Sequence, residues 1–373
     1  MEAFEGNESN IYYLKESPIR KAIAHLSIPM MVGISATTIY NLINAYFIGL
    51  IHDTNMMSAI TLAMPITIIL MAVGNMSGVG GGTFITRLLG SGDTQKGKKV
   101  AGYSFYMSII LGVIIGIAAI ILMTPFVHLL GADAQTLLYT KQYSTILFAG
   151  SFAFILNFAL EQLVRSEGAS KESMYGMFIS VGVSIALDAL LILVFNMHVI
   201  GAGISIVIAN LASTTYYVWF LENKSESLKG FLKHFKLTVN DQLEVYKIGV
   251  SELFKSAFMI VTTLLLNNFS VEYGDNVVAS FGIAVRITQL PEFLTMGLFL
   301  GAMPLFAYSF SARDTKRLKE ALKEVSLWIG GISIVFAAAA YLFRLPVLGI
   351  FTSDPHVIQV GMTILAAQLV SSV

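Results

Sequence analysis

The sequence contains no cysteine, which excludes disulfide bonds, thiolate metal sites and thiol catalysis. Charge is also scarce, because Lys, Arg, Asp and Glu make up 12% of the 373 residues and the formal net charge is zero. A chain without excess positive charge offers no basic surface for nucleic acid, so no nucleic-acid partner is expected. The 6 histidines show no metal-site spacing and there is no phosphate-binding loop, so neither a metalloenzyme nor a nucleotide-driven machine is predicted.

Apolar sequence is what the chain has in excess. Hydrophobic residues make up 55% of it, and the mean hydropathy of +0.74 is well above that of soluble domains. The residues before Ser27 are polar and mixed in charge, so a cleaved signal peptide is not predicted. The composition therefore predicts an integral, all-α protein that crosses the membrane many times.

Ten apolar stretches are long enough, or nearly so, to cross a bilayer as helices. Two are too long for a straight crossing. The second contains Pro65 and the eighth contains Pro291 and Pro304, so both should bend or extend beyond the membrane. The predicted spans are residues 27–51, 56–88, 100–123, 136–160, 173–195, 201–221, 248–269, 277–310, 325–343 and 357–373.

The lysines and arginines predict the orientation of these spans. Nineteen of the 23 lie in the N-terminal segment or around the loops after spans 2, 4, 6 and 8, all on one side. The opposite side keeps Lys141 and Arg344. Because cytoplasmic loops carry the excess of positive charge, the N-terminus is predicted to be cytoplasmic, in a bacterial inner or plasma membrane.

The chain also contains an internal repeat. Residues 125–133 (PFVHLLGAD) reappear as 346–354 (PVLGIFTSD), and the pair Asp93-Thr94 reappears as Asp314-Thr315, both at a shift of 221 positions. The first copy covers six spans, an even number, so both copies should have the same orientation, as in transporters built from parallel repeats. We predict an N-terminal lobe over 1–222, a cytoplasmic linker over 223–246 and a C-terminal lobe over 247–373.

The second copy of the repeat is shorter than the first. A full copy would continue for about two more helices, so either the chain is truncated or those helices are dispensable, and truncation is the favoured interpretation. The predicted fold class is an all-α membrane protein with two pseudo-symmetric six-helix lobes. The second lobe is incomplete, and about ten helices are present.

One charge interrupts the fifth span. Between Ser173 and Phe195 the only charged residue is Asp188. An ionised aspartate deep in the membrane costs about 2.5–3.5 kcal/mol on insertion scales, so its side chain must face protein or water rather than lipid. Asp188 is either a functional group of a transporter or a hydrogen-bonding group between helices, and we favour function.

Five motifs give the chain a family resemblance. They are YNLINAYFIG at 40–49, GVGGGTFITRLLGSGD at 78–93, VRSEG at 164–168, SIALD at 184–188 and GAGIS at 201–205. In this order and spacing they resemble the multidrug and toxic compound extrusion (MATE) transporters of the flippase-like superfamily, and most of all its bacterial branch. The resemblance implies two six-helix lobes around a central cavity and drug efflux driven by protons or sodium ions.

The resemblance also implies an ion-coupling site at Asp188, Asn44 and Ser184. Family members usually carry an aspartate where this chain has Asn44, and often an asparagine where it has Ser184. Asn44 and Ser184 offer neutral oxygens to a cation, but neither can take up a proton. Asp188 would then be the protonatable or ion-binding switch, with Asn41 as a further polar neighbour.

Further residues within the spans are candidates for the substrate cavity. Glu252 and Lys255 lie three residues apart on one helix face, where they either neutralise each other or form a second coupling site. Arg286 either meets an anionic substrate group or pairs with a carboxylate. Glu161, by contrast, is expected to reach out to the membrane interface. The predicted cavity residues are Asn41, Tyr40, Glu252, Lys255, Arg286 and Met303.

The sequence thus predicts a secondary transporter rather than an enzyme, with a proton or Na⁺ as coupling ion and no cofactor or metal besides. Its partners would be small-molecule drugs or toxic metabolites and the lipid bilayer, and it would act as a monomer. Two alternatives stay open. A lipid-linked oligosaccharide flippase would want a more cationic cavity than one Arg286 provides, and a membrane receptor or scaffold without transport would be compatible with Asn44.

Overall fold

The computed structural model of the protein describes residues 9–50, 53–272, 275–351 and 355–371. These residues are mostly helical, and no strand occurs among them. A π-helical turn over Ala189–Val194 extends α9, and a 3₁₀ turn over Phe231–Lys233 lies between α10 and α11. The helices are α1 (Asn10–Lys15), α2 (Ile19–Gly49), α3 (Thr54–Leu62), α4 (Met64–Ser91), α5 (Thr94–Ile121), α6 (Met123–Leu129), α7 (Leu137–Ala149), α8 (Ser151–Ser166), α9 (Ser170–Asp188), α10 (His198–Asn223), α11 (Val239–Glu272), α12 (Asp275–Ser311), α13 (Thr315–Leu342), α14 (Arg344–Phe351) and α15 (Pro355–Ser371).

Each of the ten predicted spans coincides with helix in the described residues. Among those residues, 7 helical segments are long and apolar enough to cross a membrane: α2, α3 with α4, α5, α9 with its π turn, α10, most of α12, and α13. The pair α7 and α8, bent by 52°, makes an eighth if it is one span. The helix α15 has 17 residues and, like α11, lies outside that count.

The two long spans depart from a straight crossing in different ways. Pro65 lies in the first turn of α4, just after a break from α3 at Ala63, where its missing N–H removes no helical hydrogen bond. Pro291 and Pro304 lie inside α12, which is a single helix of 37 residues. At about 1.5 Å per residue α12 is about 55 Å long, so it extends beyond a hydrocarbon core of about 30 Å.

Two ion pairs link helices at the end of the bundle where the positively charged loops lie. Lys96, at the start of α5, pairs with Asp241, at the start of α11, at 2.7 Å. Arg20, at the start of α2, pairs with Glu324 on α13 at 3.1 Å. We call this end, where α2, α5, α11 and α13 start, the basic end.

Helix α1 ties the second lobe to the first at the basic end. The guanidinium group of Arg317 on α13 donates hydrogen bonds to the backbone carbonyls of Tyr13 at 2.9 Å, Leu14 at 2.9 Å and Ser17 at 2.8 Å. Leu14 is fully buried and lies against Gly168, whose φ of +85° favours glycine. The N-terminal segment therefore bridges both halves of the chain.

Several helix pairs join the lobes, among them α4 with α11, α2 with α12, α4 with α12 and α2 with α13. Gly249 of α11 lies so close to Met76 of α4 that a Cβ atom would overlap the Met76 carbonyl oxygen. Ser27 of α2 donates a hydrogen bond to the Leu298 carbonyl of α12 at 2.8 Å. The two lobes, α2–α10 and α11–α15, are therefore in backbone contact near the basic end.

The connection between the lobes is packed onto the first lobe. Leu228 and Phe231 are fully buried, and the Tyr106 hydroxyl of α5 donates a hydrogen bond to the Leu232 carbonyl at 2.8 Å. Because α11 begins at Val239, the last part of the segment predicted as linker is helical. The segment between the lobes is thus packed against the first lobe and is not an extended linker.

Glu167 fastens this connection to the end of α8. Its side chain is buried, and one carboxylate oxygen accepts hydrogen bonds from the Ser225 hydroxyl at 2.6 Å and the Ser227 N–H at 3.3 Å. The other carboxylate oxygen has no donor in the described part of the chain. Burial raises the pKa of Glu167 from its ordinary 4.5 to about 7, more than these hydrogen bonds lower it.

Glu167→Gln should therefore stabilise the protein in a pH-dependent way. Below pH 4.5 the wild-type carboxyl is protonated in both the folded and the unfolded chain, so its titration does not lower the free energy of unfolding. As the pH rises towards 7 the unfolded chain releases this proton first, and the folded state loses on the order of 2–3 kcal/mol. The thermal midpoint of the variant in detergent should exceed that of wild type by a few degrees at pH 8 and match it near pH 4.5.

The control for this measurement is Glu226→Gln, which removes the same charge from an exposed position in the same connection. Its thermal midpoint should depart from the wild-type curve far less than that of Glu167→Gln, because the Glu226 charge is a smaller cause of the raised Glu167 pKa than burial. A constant offset between Glu167→Gln and wild type from pH 4.5 to pH 8 would contradict the titration of Glu167.

Candidate functional site

Asp188 is the last residue of α9 and is followed at once by the π-helical turn. Short π-helical turns occur frequently at functional sites. The Asp188 side chain is fully buried. One carboxylate oxygen, Oδ2, accepts hydrogen bonds from the Tyr40 hydroxyl at 3.2 Å and from the Asn44 amide at 3.0 Å. Tyr40 and Asn44 are four residues apart on α2, so one helix face supplies both donors.

The second carboxylate oxygen of Asp188, Oδ1, has no hydrogen-bond donor among the described residues. The Ser205 hydroxyl of α10 lies beside the carboxyl group but donates to the backbone carbonyl of Ser184 at 3.1 Å. Ser184 is itself buried, one turn before Asp188. A buried oxygen without a donor is suited to carry a proton or to accept a cation.

A cavity of about 330 Å³ in the first lobe adjoins this group. It lies between α2, α4, α8, α9 and α10, and three predicted residues line it: Tyr40, Asn41 and Ser184. The wall combines aromatic and methionine side chains with hydroxyls, amides and one carboxylate. The other lining residues are Thr37, Thr67, Ile68, Met71, Phe154, Asn157, Phe158, Glu161, Met177, Ser180, Val181, Ile206, Asn210, Ser213 and Tyr217.

The prediction that Glu161 reaches out to the membrane interface is wrong. Its carboxylate lines the first-lobe cavity and pairs with the Arg165 guanidinium at 3.2 Å, with 12% of the Glu161 and 3% of the Arg165 side chain exposed. Both residues lie on α8, four positions apart, which turns them to the same inner face. That spacing was the available sequence signal, although it does not reveal which face of α8 is turned inward.

Two asparagines on the cavity wall were also not singled out from the sequence. The Asn157 amide of α8 donates a hydrogen bond to the Asn210 side-chain oxygen of α10 at 2.9 Å, and both side chains are buried. Buried amides that bond across helices stabilise helix contacts in membranes. Both asparagines line the cavity, as Glu161 does, and contribute polar atoms to its wall.

The remaining predicted cavity residues lie elsewhere. Glu252 and Lys255 form an ion pair on α11 at 3.2 Å, with 63% of the Lys255 side chain exposed. Arg286 on α12 is exposed, and the described residues give it no hydrogen bond or ion pair. Met303 lines a separate space of about 20 Å³ between α4, α8 and α12. The first-lobe cavity is therefore formed without these four residues.

Comparisons with known proteins agree over nearly the whole chain. A family model described as MatE matches residues 29–190 and 249–373. The multidrug export protein MepA of Staphylococcus aureus (strain NCTC 8325 / PS 47) is 38% identical over 364 residues, which cover 98% of this chain and 80% of MepA.

Solved structures show the same fold. A MATE in complex with MaD3S has a TM-score of 0.91 at 24% identity, covering 98% of this chain and 82% of that one. The outward-facing conformation of a multidrug resistance MATE family transporter of the MOP superfamily also has a TM-score of 0.91 at 24% identity, covering 99% and 82%. At this identity the similarity supports the two-lobe helical architecture and no finer property.

Proposed function

The chain belongs to the MatE family, and from this membership we propose that it is a multidrug efflux transporter that exports small amphipathic, often cationic compounds in exchange for protons or sodium ions. The single observation that carries the proposal is the buried Asp188 carboxylate, whose second oxygen has no described donor, beside a cavity of about 330 Å³. A volume of this size suits a small organic molecule.

The cavity wall fits an amphipathic cation. Phe154, Phe158 and Met71 offer apolar and polarisable surface, and aromatic faces attract positive charge. The Glu161 carboxylate supplies negative charge at the wall, although Arg165 neutralises it at 3.2 Å. Binding of a cation is therefore favoured by a second negative charge, which Asp188 provides when it is ionised.

We infer that Asp188 couples substrate export to ion entry, because it is the carboxylate of this cluster. Asn44 and Ser184 cannot take up a proton, so of these three residues only Asp188 can exchange one. A cation in the cavity favours the ionised carboxylate and a proton favours its neutral form, so the two ligands weaken each other's binding by the same factor. This reciprocal competition is the requirement for an exchange of substrate and proton, and a sodium ion at the same oxygen would compete similarly.

Transport also requires that the cavity face each side of the membrane in turn. We propose that the lobes rock apart at the basic end, where Gly249 and Met76 are now in contact, and close at the other end. The parallel repeat in the sequence supports such a motion, because transporters built from repeats alternate their access by moving one repeat against the other.

The flippase alternative has no feature of the cavity in its favour. The described lining contains Glu161, and Arg165 beside it is already paired with that carboxylate. An anionic lipid-linked oligosaccharide would need unpaired positive charge there. A receptor or scaffold without transport is distinguished by flux.

The proposal is tested with the purified chain in proteoliposomes. Tetraphenylphosphonium, a lipophilic monocation, should move against an imposed pH or sodium gradient at a rate on the order of tenfold above that of protein-free vesicles. The ion whose gradient drives the movement is the coupling ion. No flux of tetraphenylphosphonium or ethidium with either gradient would contradict the proposal and favour the receptor interpretation.

The orientation belongs to the same proposal: a monomer in the cell membrane with a cytoplasmic N-terminus. Because the chain has no cysteine, each single-cysteine variant carries one thiol. Asp133→Cys should react with an impermeant maleimide added to intact cells, whereas Lys98→Cys and Lys316→Cys should react only after the cells are permeabilised. The reverse labelling pattern would refute the positive-inside argument.

A further inference from the structure

Arg165 lies where the first-lobe cavity meets the contact between the lobes. On the cavity side it pairs with Glu161 at 3.2 Å. It also donates a hydrogen bond to the Gln162 side chain and lies 3.6 Å from the Met30 sulfur of α2. Only 3% of its side chain is exposed, so this positive charge depends on the protein for its partners.

The other side of Arg165 faces the second lobe. Arg165 lines the space of about 20 Å³ between the lobes together with Met303 and Pro304 of α12. The hydroxyl of Thr83, on the same wall, is buried without a described partner. Across the contact, Glu252 on α11 is paired with the largely exposed Lys255 at 3.2 Å, and its negative charge is close enough to have a small effect on Arg165. The guanidinium group thus has one carboxylate in the first lobe and a second within electrostatic range in the other lobe.

We propose that Arg165 is a positioning residue that couples occupancy of the first-lobe cavity to closure of the basic end. The inference rests on the proposed function, because it requires a cation to bind at Glu161. A cation that pairs with Glu161 takes away the carboxylate partner of Arg165, and a buried charge without a partner is strongly unfavourable. Arg165 then turns towards Glu252, α11 and α12, and changes the contact between the lobes.

This arrangement meets the thermodynamic condition for a ligand-driven change. A ligand shifts a conformational equilibrium only when it binds the two states with different affinity. Here Glu161 is free for a cation only when Arg165 has left it, so the cation favours the state with the altered contact. Lysine would not replace arginine, because its single ammonium group lacks the planar fork that donates to several acceptors at once.

The experiment uses the full chain, purified in detergent, with one cysteine placed by Ala307→Cys. Ala307 lines the same space between the lobes, so the rate of its reaction with a water-soluble maleimide reports the contact. Tetraphenylphosphonium binding is measured in parallel by equilibrium dialysis. In the wild-type background, saturating tetraphenylphosphonium should change the labelling rate by about fivefold or more.

In Arg165→Gln, Glu161 is released, so tetraphenylphosphonium should bind at least as tightly as in wild type, yet the labelling rate should no longer respond. Arg165→Lys keeps the charge if the first variant folds poorly, and its response should fall below about twofold. The matched control is Arg87→Gln. Arg87 lies over the Phe310 ring at 5.8 Å, near the same lobe contact but outside the cavity wall, and its loss should leave the response intact.

The outcomes separate this inference from the proposed function. A wild-type response retained in Arg165→Gln would overturn the role of Arg165 and leave the transporter proposal standing. If wild type binds tetraphenylphosphonium but the labelling rate of Ala307→Cys does not change, the role of Arg165 is likewise overturned and the transporter proposal stands. Absence of binding of both tetraphenylphosphonium and ethidium to wild type would overturn both.

Discussion

Asp188→Asn should abolish gradient-driven efflux while leaving the protein folded and inserted in the membrane. Asparagine keeps the shape of the side chain, and its oxygen still accepts the hydrogen bonds that Tyr40 and Asn44 now donate at 3.2 and 3.0 Å. The amide removes the burial cost of a carboxylate but cannot exchange a proton. Efflux driven by a pH gradient should therefore fall on the order of tenfold or more, to the level of protein-free vesicles.

The same measurement needs a control that makes the same chemical change elsewhere. Asp93→Asn is suited to it, because Asp93 caps α5 by accepting the Lys96 N–H at 3.0 Å and asparagine caps helices equally well. Its efflux should match that of wild type. Passive binding of tetraphenylphosphonium should weaken but persist in Asp188→Asn, since the residues that line the cavity are unchanged. Equal gradient-driven rates in wild type and Asp188→Asn would leave Asp188 a structural hydrogen-bonding group.

Asp188 could be predicted from the sequence to be a buried acid because it is the one charge in a long apolar span. Within an apolar span a single charge must face protein or water, which singled out Asp188. The four-residue spacing of Tyr40 and Asn44 places both on one face of a helix. The helices themselves follow from the length of the apolar stretches, so span positions and helix positions agree.

Which face of each helix points inward was not readable in the same way. The four-residue spacing of Asn157, Glu161 and Arg165 marks one polar face of α8, but it does not show which neighbouring helices cover that face, so Glu161 was assigned to the interface although it lines the cavity. Met303 and Arg286 were grouped with the cavity for the same reason. Met303 lies at the lobe contact, and Arg286 is exposed. The rotation of α8 and α12 is fixed by tertiary contacts between residues distant in sequence.

The contact between the lobes depends on glycines whose role also becomes visible only in the structure. Gly249 of α11 and Gly80 of α4 face each other, and a Cβ on Gly80 would come within 3.2 Å of the Gly249 nitrogen. A Cβ on Gly249 would overlap the Met76 carbonyl oxygen, which belongs to the backbone of α4 and cannot turn aside as a side chain would. Any larger residue at 249 must push α11 away from α4.

Gly249→Val should therefore prevent the basic end from closing and lower efflux on the order of tenfold, with tetraphenylphosphonium binding retained. The labelling rate of Ala307→Cys without ligand should rise in this background, because the space between the lobes becomes open. Gly330→Val on α13 is the matched control, since no atom lies within 4 Å of its added Cβ, and it should transport like wild type. Size-exclusion profiles check that both variants are folded. Wild-type efflux by Gly249→Val would show that the transport cycle does not need the contact between α4 and α11.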